Sequence, residues 1–217
     1  MQITFKHNTN FWHIASAARI KKIDDYLILS QAFEQKVLAD ADKELLKNFI
    51  DYFKNIKNIK SQLYQDVFAS FVIGNKFEKT FLEFGATDGL ELSNSYMLEN
   101  SLSWKGILSE PSPQWHDSLK KNRKNTEIIT KCIWSESGKT LDFFMSDVGV
   151  FSTLSDFVDS DKDSIPGNTI ERKKSGKTIK VETISLNDVI LNYFNNISPS
   201  YISIDTEGSE YEILKSL

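Results

Sequence analysis

Three short apolar runs, each closing on an acid and then a turn, constrain this chain most: FLEFGATDG from Phe81 to Gly89, GILSEPSP from Gly106 to Pro113, and YISIDTEGSEYEIL from Tyr201 to Leu214. Short apolar runs bounded by Gly and Pro read as buried strands. Polar groups just past the ends of parallel strands line one crevice at the open edge of a sheet. The residues between the runs fit such a sheet. A helical stretch near Ser93 to Asn100 precedes WKGILSE, and a second helix near Gln114 to Lys121 precedes EIITKCIW, which is expected to be the third strand. This alternation predicts a doubly wound, Rossmann-like α/β sheet. LDFFM and TIKVETI read as two further strands, the second leading into a helix capped by Ser185, with Asp188 three residues on.

Ahead of the first run the pattern changes. Residues 1–75 read as a helical region, with Leu45, Leu46, Phe49, Ile50, Phe53 and Ile56 on one face, and residues 76–217 as the α/β domain. Lys54, Lys57 and Lys60 are balanced by Asp42, Glu44 and Asp51, the mark of a solvated face. The long polar stretch from Asp147 to Gly176 is expected to be a mobile substrate loop.

Composition narrows the function. With 40% apolar and 12% aromatic residues, 217 residues can bury a sizeable core. A formal charge of -4, interspersed along the chain, lacks the basic stripe of a nucleic-acid binder. No apolar run approaches the roughly 20 residues that cross a bilayer, and no signal-peptide pattern opens the chain. The lone Cys132 cannot form an internal disulfide, and His7, His13 and His116 are scattered, so no Cys/His metal cluster is expected. The expectation is a cytoplasmic protein without a membrane or nucleic-acid partner.

Gly85 and Gly89 allow a sharp turn after a strand and a close approach of backbone N–H groups to a ligand. A dinucleotide fingerprint would read G-x-G-x-x-G; here Thr87 replaces the second glycine and Asp88 sits within the turn. Glu83 and Asp88 would repel a pyrophosphate. A cofactor with a cationic centre and an ammonium group, such as S-adenosylmethionine, fits these acids better. Its ribose hydroxyls need an acceptor, and Glu110, at the end of the second run, supplies one.

The blocks FLEFGATDGLELSNSYMLE, WKGILSEPSP and YISIDTEGSEYEIL, in this order, resemble the FkbM-type S-adenosylmethionine-dependent methyltransferases, and SQLYQD from Ser61 to Asp66 is similar to a segment that precedes the first strand in relatives. The resemblance, over residues 61–217, implies a class I methyltransferase fold and O-methylation of a sugar or another small hydroxylated acceptor. It implies cofactor contacts from Glu83, Gly85, Ala86, Asp88, Gly89, Asn94 and Glu110, with Pro111 beside it. Thr87 stands where relatives commonly carry Asn. Trp134 and Ser135 fall where this fold forms an adenine wall, core packing being the alternative for Trp134. GVFSTLSDF, from Gly149 to Phe157, resembles a segment on the substrate side, which makes Ser152 and Thr153 candidate contacts. His116 is near Glu110 in sequence and could approach the site, a position on a helix surface being the expectation.

Asp205 closes an apolar strand and Glu207 follows two positions later, so both carboxylates can face one side. Either one is a candidate general base for an acceptor hydroxyl, a role that burial or a neighbouring acid assists by raising the pKa. The pair could instead hold a divalent cation, but no further ligands accompany it, and no metal is assigned. Glu210 and Glu212 fit the first turn of a helix, where acids oppose the helix dipole. A complete class I sheet has seven strands, whereas this sequence ends inside the helix after YISID, so the sheet is expected to stop after its fourth core strand. Its open edge would be covered by a second copy of the chain, by the N-terminal helices or by residues outside this sequence. The competing readings are a noncatalytic interaction protein with the same fold and, with less support, a nicotinamide-dependent enzyme.

Overall fold

The computed structural model describes residues 43–215, so the expectation of helices before residue 43 lies outside the described residues. Helix α1 spans Lys43–Asn55 and α2 spans Gln65–Ile73. Gly74 then ends α2 at a positive φ of 54°, its N–H bonded to the Ser70 carbonyl. At the start of α2, Asp66 accepts from Ser61 Oγ and from the Val67 N–H, which fixes the SQLYQD segment against the helix.

Strands β1 (Thr80–Phe84), β2 (Lys105–Ser109) and β3 (Glu127–Ile129) follow, connected by α3 (Tyr96–Leu102) and α4 (Pro113–Asn122). The chain then forms β4 (Cys132–Trp134), β5 (Thr140–Ser146), β6 (Thr153–Leu154), α5 (Pro166–Lys174), β7 (Gly176–Ser185) and α6 (Leu186–Tyr193). It returns through β8 (Tyr201–Ile204) to α7 (Glu210–Leu214). The first sheet is parallel, in the order β3-β2-β1-β8, and the second runs β4-β7-β5-β6. Chain order therefore reverses at β1, which has β2 on one side and β8 on the other. In an open α/β sheet this switch point is where the crevice forms.

β1 is buried on both faces because its side chains alternate between two cores. Phe81 joins Phe53, Val67, Met97, Leu98 and Leu108 beneath the helices, while Leu82 and Phe84 join Ile107, Ile129, Leu186, Val189 and Ile213. Each such side chain contributes about 1.5–3 kcal/mol by leaving water. Helices α1 and α2 thus share the core of the sheet. Ser185 caps α6 as expected, its Oγ accepting from the Asp188 N–H at 3.0 Å.

Two expectations are corrected. EIITKCIW is two strands, because Ile129 reaches the end of β2 and its carbonyl accepts from the Glu110 N–H. The chain bends there, the Lys131 carbonyl takes the Ser109 hydroxyl, and Cys132–Trp134 pairs with β7 instead. The polar stretch after Asp147 is also organised. It holds two 3-10 turns (Gly149–Phe151 and Ser155–Phe157), β6 paired with β5, and α5. The fully buried Arg172 ties the stretch together by hydrogen bonds to the Phe151 and Val158 carbonyls and to Asp161.

Candidate functional site

A recess opens where β1, β2 and β8 end. Its floor and sides come from Phe84, Gly85, Thr87, Ser109, Glu110 and Pro111, from Cys132, Ile133 and Phe143, and from two facing segments, Gly149 to Leu154 and Asp205 to Ser209. About 500 Å³ of open space lies between these walls, its mouth included.

Gly85 makes the crossing of the strand ends possible. Its φ is +71°, and a Cβ there would lie 1.9 Å from the Asp205 carbonyl oxygen, so any side chain would drive the β1 and β8 loops apart. Thr87 also has a positive φ, 47°, which is costly for a β-branched residue. Its N–H donates to Glu110 Oε2 at 2.9 Å. The other oxygen of Glu110 accepts from the Ser112 N–H at 2.8 Å. One acid thereby joins the turn after β1 to the N-terminus of α4, and each of its oxygens retains a further lone pair. Burial pushes this carboxyl up to about 7, against the pull of those two N–H bonds. Cys132 lies beside it, and burial together with the Glu110 charge pushes the thiol up to about 12. His116 turns inward from α4, its Nε2 2.8 Å from the Glu110 carbonyl.

Glu83 faces away from the recess. Alternation along β1 puts it on the Phe81 side, where it accepts from Ser93 Oγ, the Asn94 N–H and Ser95 Oγ, with Arg123 Nη1 at 3.9 Å. Burial raises its pKa, and Arg123 and these donors oppose that. Arg123 also bonds Glu99, the Gly89 carbonyl, Ser93 and Ser95, and its guanidinium lies 5.5 Å from the centre of the Phe81 ring. A Cβ on Gly89, at φ +71°, would meet the Arg123 stem at 2.6 Å. Asp88 accepts from the N–H groups of Leu90 and Glu91, and Asn94 accepts from Gln65 on α2. The acids that argue against pyrophosphate are therefore braces of the turn in this structure.

Past β8, Asp205 opens onto the recess. Its side chain is exposed at the mouth yet recessed among protein atoms, and that burial, followed by the nearby Glu210 charge, raises its pKa. Among the described residues its carboxylate takes no hydrogen bond and no ion pair. Glu207, at φ 60°, is held by Arg172 Nη2 at 2.6 Å. Burial and Asp205 push its pKa up while Arg172 opposes them. Glu210 closes the loop from below, accepting from Thr206 N at 2.8 Å and from Gly208 N at 3.0 Å.

Of the residues singled out in the sequence, Gly85, Thr87, Glu110, Pro111, Asp205 and Glu207 meet at the recess, as does Ser152. Glu83, Ala86, Asp88, Gly89 and Asn94 form the back of the turn, with Ala86 buried in the helix-side core. Trp134 packs at the junction of two cores, edge-on to Phe157, and Ser135 follows it beyond β4; neither lines the recess. Thr153 is buried, with its hydroxyl on the carbonyls of Thr206 and Glu207. Sequence reasoning passed over Ser109, Phe143, Val150, Thr206 and Ser209 in the walls, and Arg123 and Arg172 behind them. Among the described residues no group of three or more His, Cys, Asp or Glu side chains is placed to hold a metal ion, and no helix is long and apolar enough to cross a membrane.

Strand order, the glycine turn after β1 and the buried acid after β2 define a Rossmann-like α/β domain with a nucleotide-type crevice at its switch point. The sequence pattern of the methyltransferase FkbM domain matches residues 83–217, and the chain belongs to that family. It is therefore a member of a methyltransferase family whose cofactor is S-adenosylmethionine. No curated protein matches the chain. Among solved structures, the SAH-bound methyltransferase of Podospora anserina is similar over 41% of this chain and 42% of its own, at 16% identity and a TM-score of 0.25. The chain thus aligns with less than half of that structure's length.

Proposed function

We propose that this chain transfers a methyl group from S-adenosylmethionine to a hydroxyl of a small acceptor, with saccharides the foremost class, and that Asp205 is the general base. One observation carries this reading. Of the acids at the three strand ends, Asp205 alone keeps its carboxylate clear of protein donors while it opens onto the recess; Glu83, Asp88, Glu110, Glu207 and Glu210 are each held by N–H or O–H groups.

The residues present fit the cofactor. Gly85 and Thr87 bring the backbone turn to the crevice, Pro111 walls it, and the remaining lone pairs of Glu110 suit the two ribose hydroxyls. Glu83, Ala86, Asp88, Gly89 and Asn94 shape the turn from behind, while Trp134 and Ser135, beside β7, lie outside the recess. When bound, the cofactor supplies an electrophilic methyl group on a positively charged sulfur. Asp205 takes the acceptor's hydroxyl proton as the acceptor oxygen gains the methyl group, so no free alkoxide has to form. A raised pKa suits this role, because a more basic carboxylate is the better proton acceptor once ionised. Glu207 serves better as a fixed wall, its charge being paired with Arg172. The outer edge of β8, which pairs with β1 alone among the described residues, is open to a second copy of the chain.

Calorimetry with S-adenosylhomocysteine, followed by label transfer from methyl-labelled S-adenosylmethionine into a panel of free sugars and methyl glycosides, tests the reading. Binding together with an alkali-stable labelled ether is the expected result. Absence of binding at millimolar ligand would instead favour a noncatalytic protein that retains the fold.

A further inference from the structure

One guanidinium touches both facing walls of the recess. Arg172 Nε donates to the Phe151 carbonyl at 2.8 Å, in the turn that forms one wall, and Nη2 donates to Glu207 Oε2 at 2.6 Å, in the loop that forms the other. Its remaining N–H groups reach the Val158 carbonyl at 3.0 Å and the two oxygens of Asp161 at 2.8 and 3.3 Å. All five donors of the guanidinium are therefore satisfied by protein. Two hydroxyls brace the same junction. Thr153 Oγ1 lies 3.1 Å from the Thr206 carbonyl and 3.0 Å from that of Glu207, and Ser160 Oγ donates to the Glu207 carbonyl at 3.1 Å. A Cβ on Gly208 would strike Ser160, so the loop after β8 also packs tightly on the chain that follows the second 3-10 turn.

We propose that Arg172 is a positioning residue that sets the gap between the Gly149–Phe151 turn and the Asp205–Ser209 loop, and with it the size of acceptor admitted. Glu207 sits at a positive φ that a non-glycine residue leaves readily unless its surroundings hold it. Arg172 holds its side chain, and Glu210 holds the backbone to either side of it through the Thr206 and Gly208 N–H groups. The planar fork is essential to this arrangement. A lysine ammonium would keep the charge, but from the same place it cannot bond the Phe151 carbonyl, Asp161 and Glu207 together. The consequence for acceptors rests on the methyl-transfer reading; the tie between the walls does not.

Amide hydrogen exchange on the full chain, comparing wild type with Arg172→Lys, tests the tie. Exchange is expected to quicken about tenfold or more in 149–154 and in 205–209 together, while 83–89 and the affinity for S-adenosylhomocysteine stay within about twofold of wild type. A spectroscopic signature accompanies it. Trp115 packs on Gly149, so in 5-fluorotryptophan protein the 19F resonance of Trp115 moves in the variant, while that of Trp104 in the helix-side core stays. The proposal is overturned if Arg172→Lys leaves both segments unchanged, if only one wall responds, or if 83–89 loosens equally. Should Arg172→Lys not fold, Asp161→Asn frees one arm of the fork without touching either wall. It is expected to loosen both walls by a smaller factor, and a change confined to 159–169 would count against the tie. If the wild type does not bind S-adenosylhomocysteine, the methyl-transfer reading fails while the paired response of the walls stands.

Discussion

Arg123 and Arg172 are both fully buried and each fixes a glutamate of the site, yet their surroundings differ. Around Arg123 the acids are dry, with Glu83 3% and Glu99 10% exposed, and an aromatic face covers the guanidinium. Around Arg172 the acids lie partly in water, with Asp161 16% and Glu207 24% exposed. The first cluster shapes the turn after β1, which on the proposed function presents the same backbone atoms to the cofactor at every turnover. The second borders the open side of the recess, the side proposed to take the acceptor. A charge buried without water is costly to unpair, so the dry cluster is the more rigid device.

The most direct way to separate the two halves is Asp205→Asn. It should reduce methyl transfer by about 100- to 10,000-fold, the usual worth of a general base, with calorimetric affinity for S-adenosylhomocysteine unchanged. A loss of cofactor affinity instead would place Asp205 in the first half. Next in size, Arg123→Met should cost about 3–5 kcal/mol in urea denaturation, because it strands Glu83 in a dry core, whereas Arg172→Met should cost about 2 kcal/mol, since water reaches its partners. Equal losses would erase the contrast. Gly85→Ala touches both halves at once through the Asp205 carbonyl and should cost about 2–4 kcal/mol, with both cofactor affinity and turnover falling.

Smaller effects sharpen the cofactor half. With Glu110 at about 7, the folded chain keeps a proton that the unfolded chain has already released at the ordinary carboxylate pKa. Stability therefore falls as pH rises through that window, towards about 7. On the proposed function, ribose hydroxyls donate to this carboxylate and favour its ionised form, so affinity for S-adenosylhomocysteine should rise about tenfold from about pH 6 to about pH 8 and then level off. Glu110→Gln should flatten that profile. Thr87→Asn should gain about 1 kcal/mol in the same denaturation measurement, because Asn tolerates the left-handed conformation that Thr87 is forced to adopt.

How far the sequence discloses this arrangement depends on the range of the interactions. Strands β1, β2 and β8, the Ser185 cap and the acids at the strand ends are written in local patterns of two to ten residues, and the structure has them in place. The direction of Glu83 was also legible, since strict alternation puts it on the side of Phe81 and away from a pocket shared with Phe84. The division of EIITKCIW was not, because β7, some fifty residues later, captures its second half. Arg123 and Arg172 stand in KKNRKN and ERKKSG, where a lone arginine reads as one more solvated charge. Only contacts from distant segments reveal them as interior residues.

The excursion that carries one wall of the recess starts and finishes at a single place. Ser146 and Gly176 are register partners in the β5–β7 pair, and the Asp147 N–H bonds the Ser175 carbonyl just beyond them. A segment whose two ends already touch can be lengthened, shortened or exchanged at little entropic cost to the sheet that bears it. Descent with modification could thus rewrite what such a domain acts upon by editing one cassette, leaving the chemistry of the donor side as inherited. On the proposed function, grafting the corresponding excursion between family members should change which acceptors are methylated.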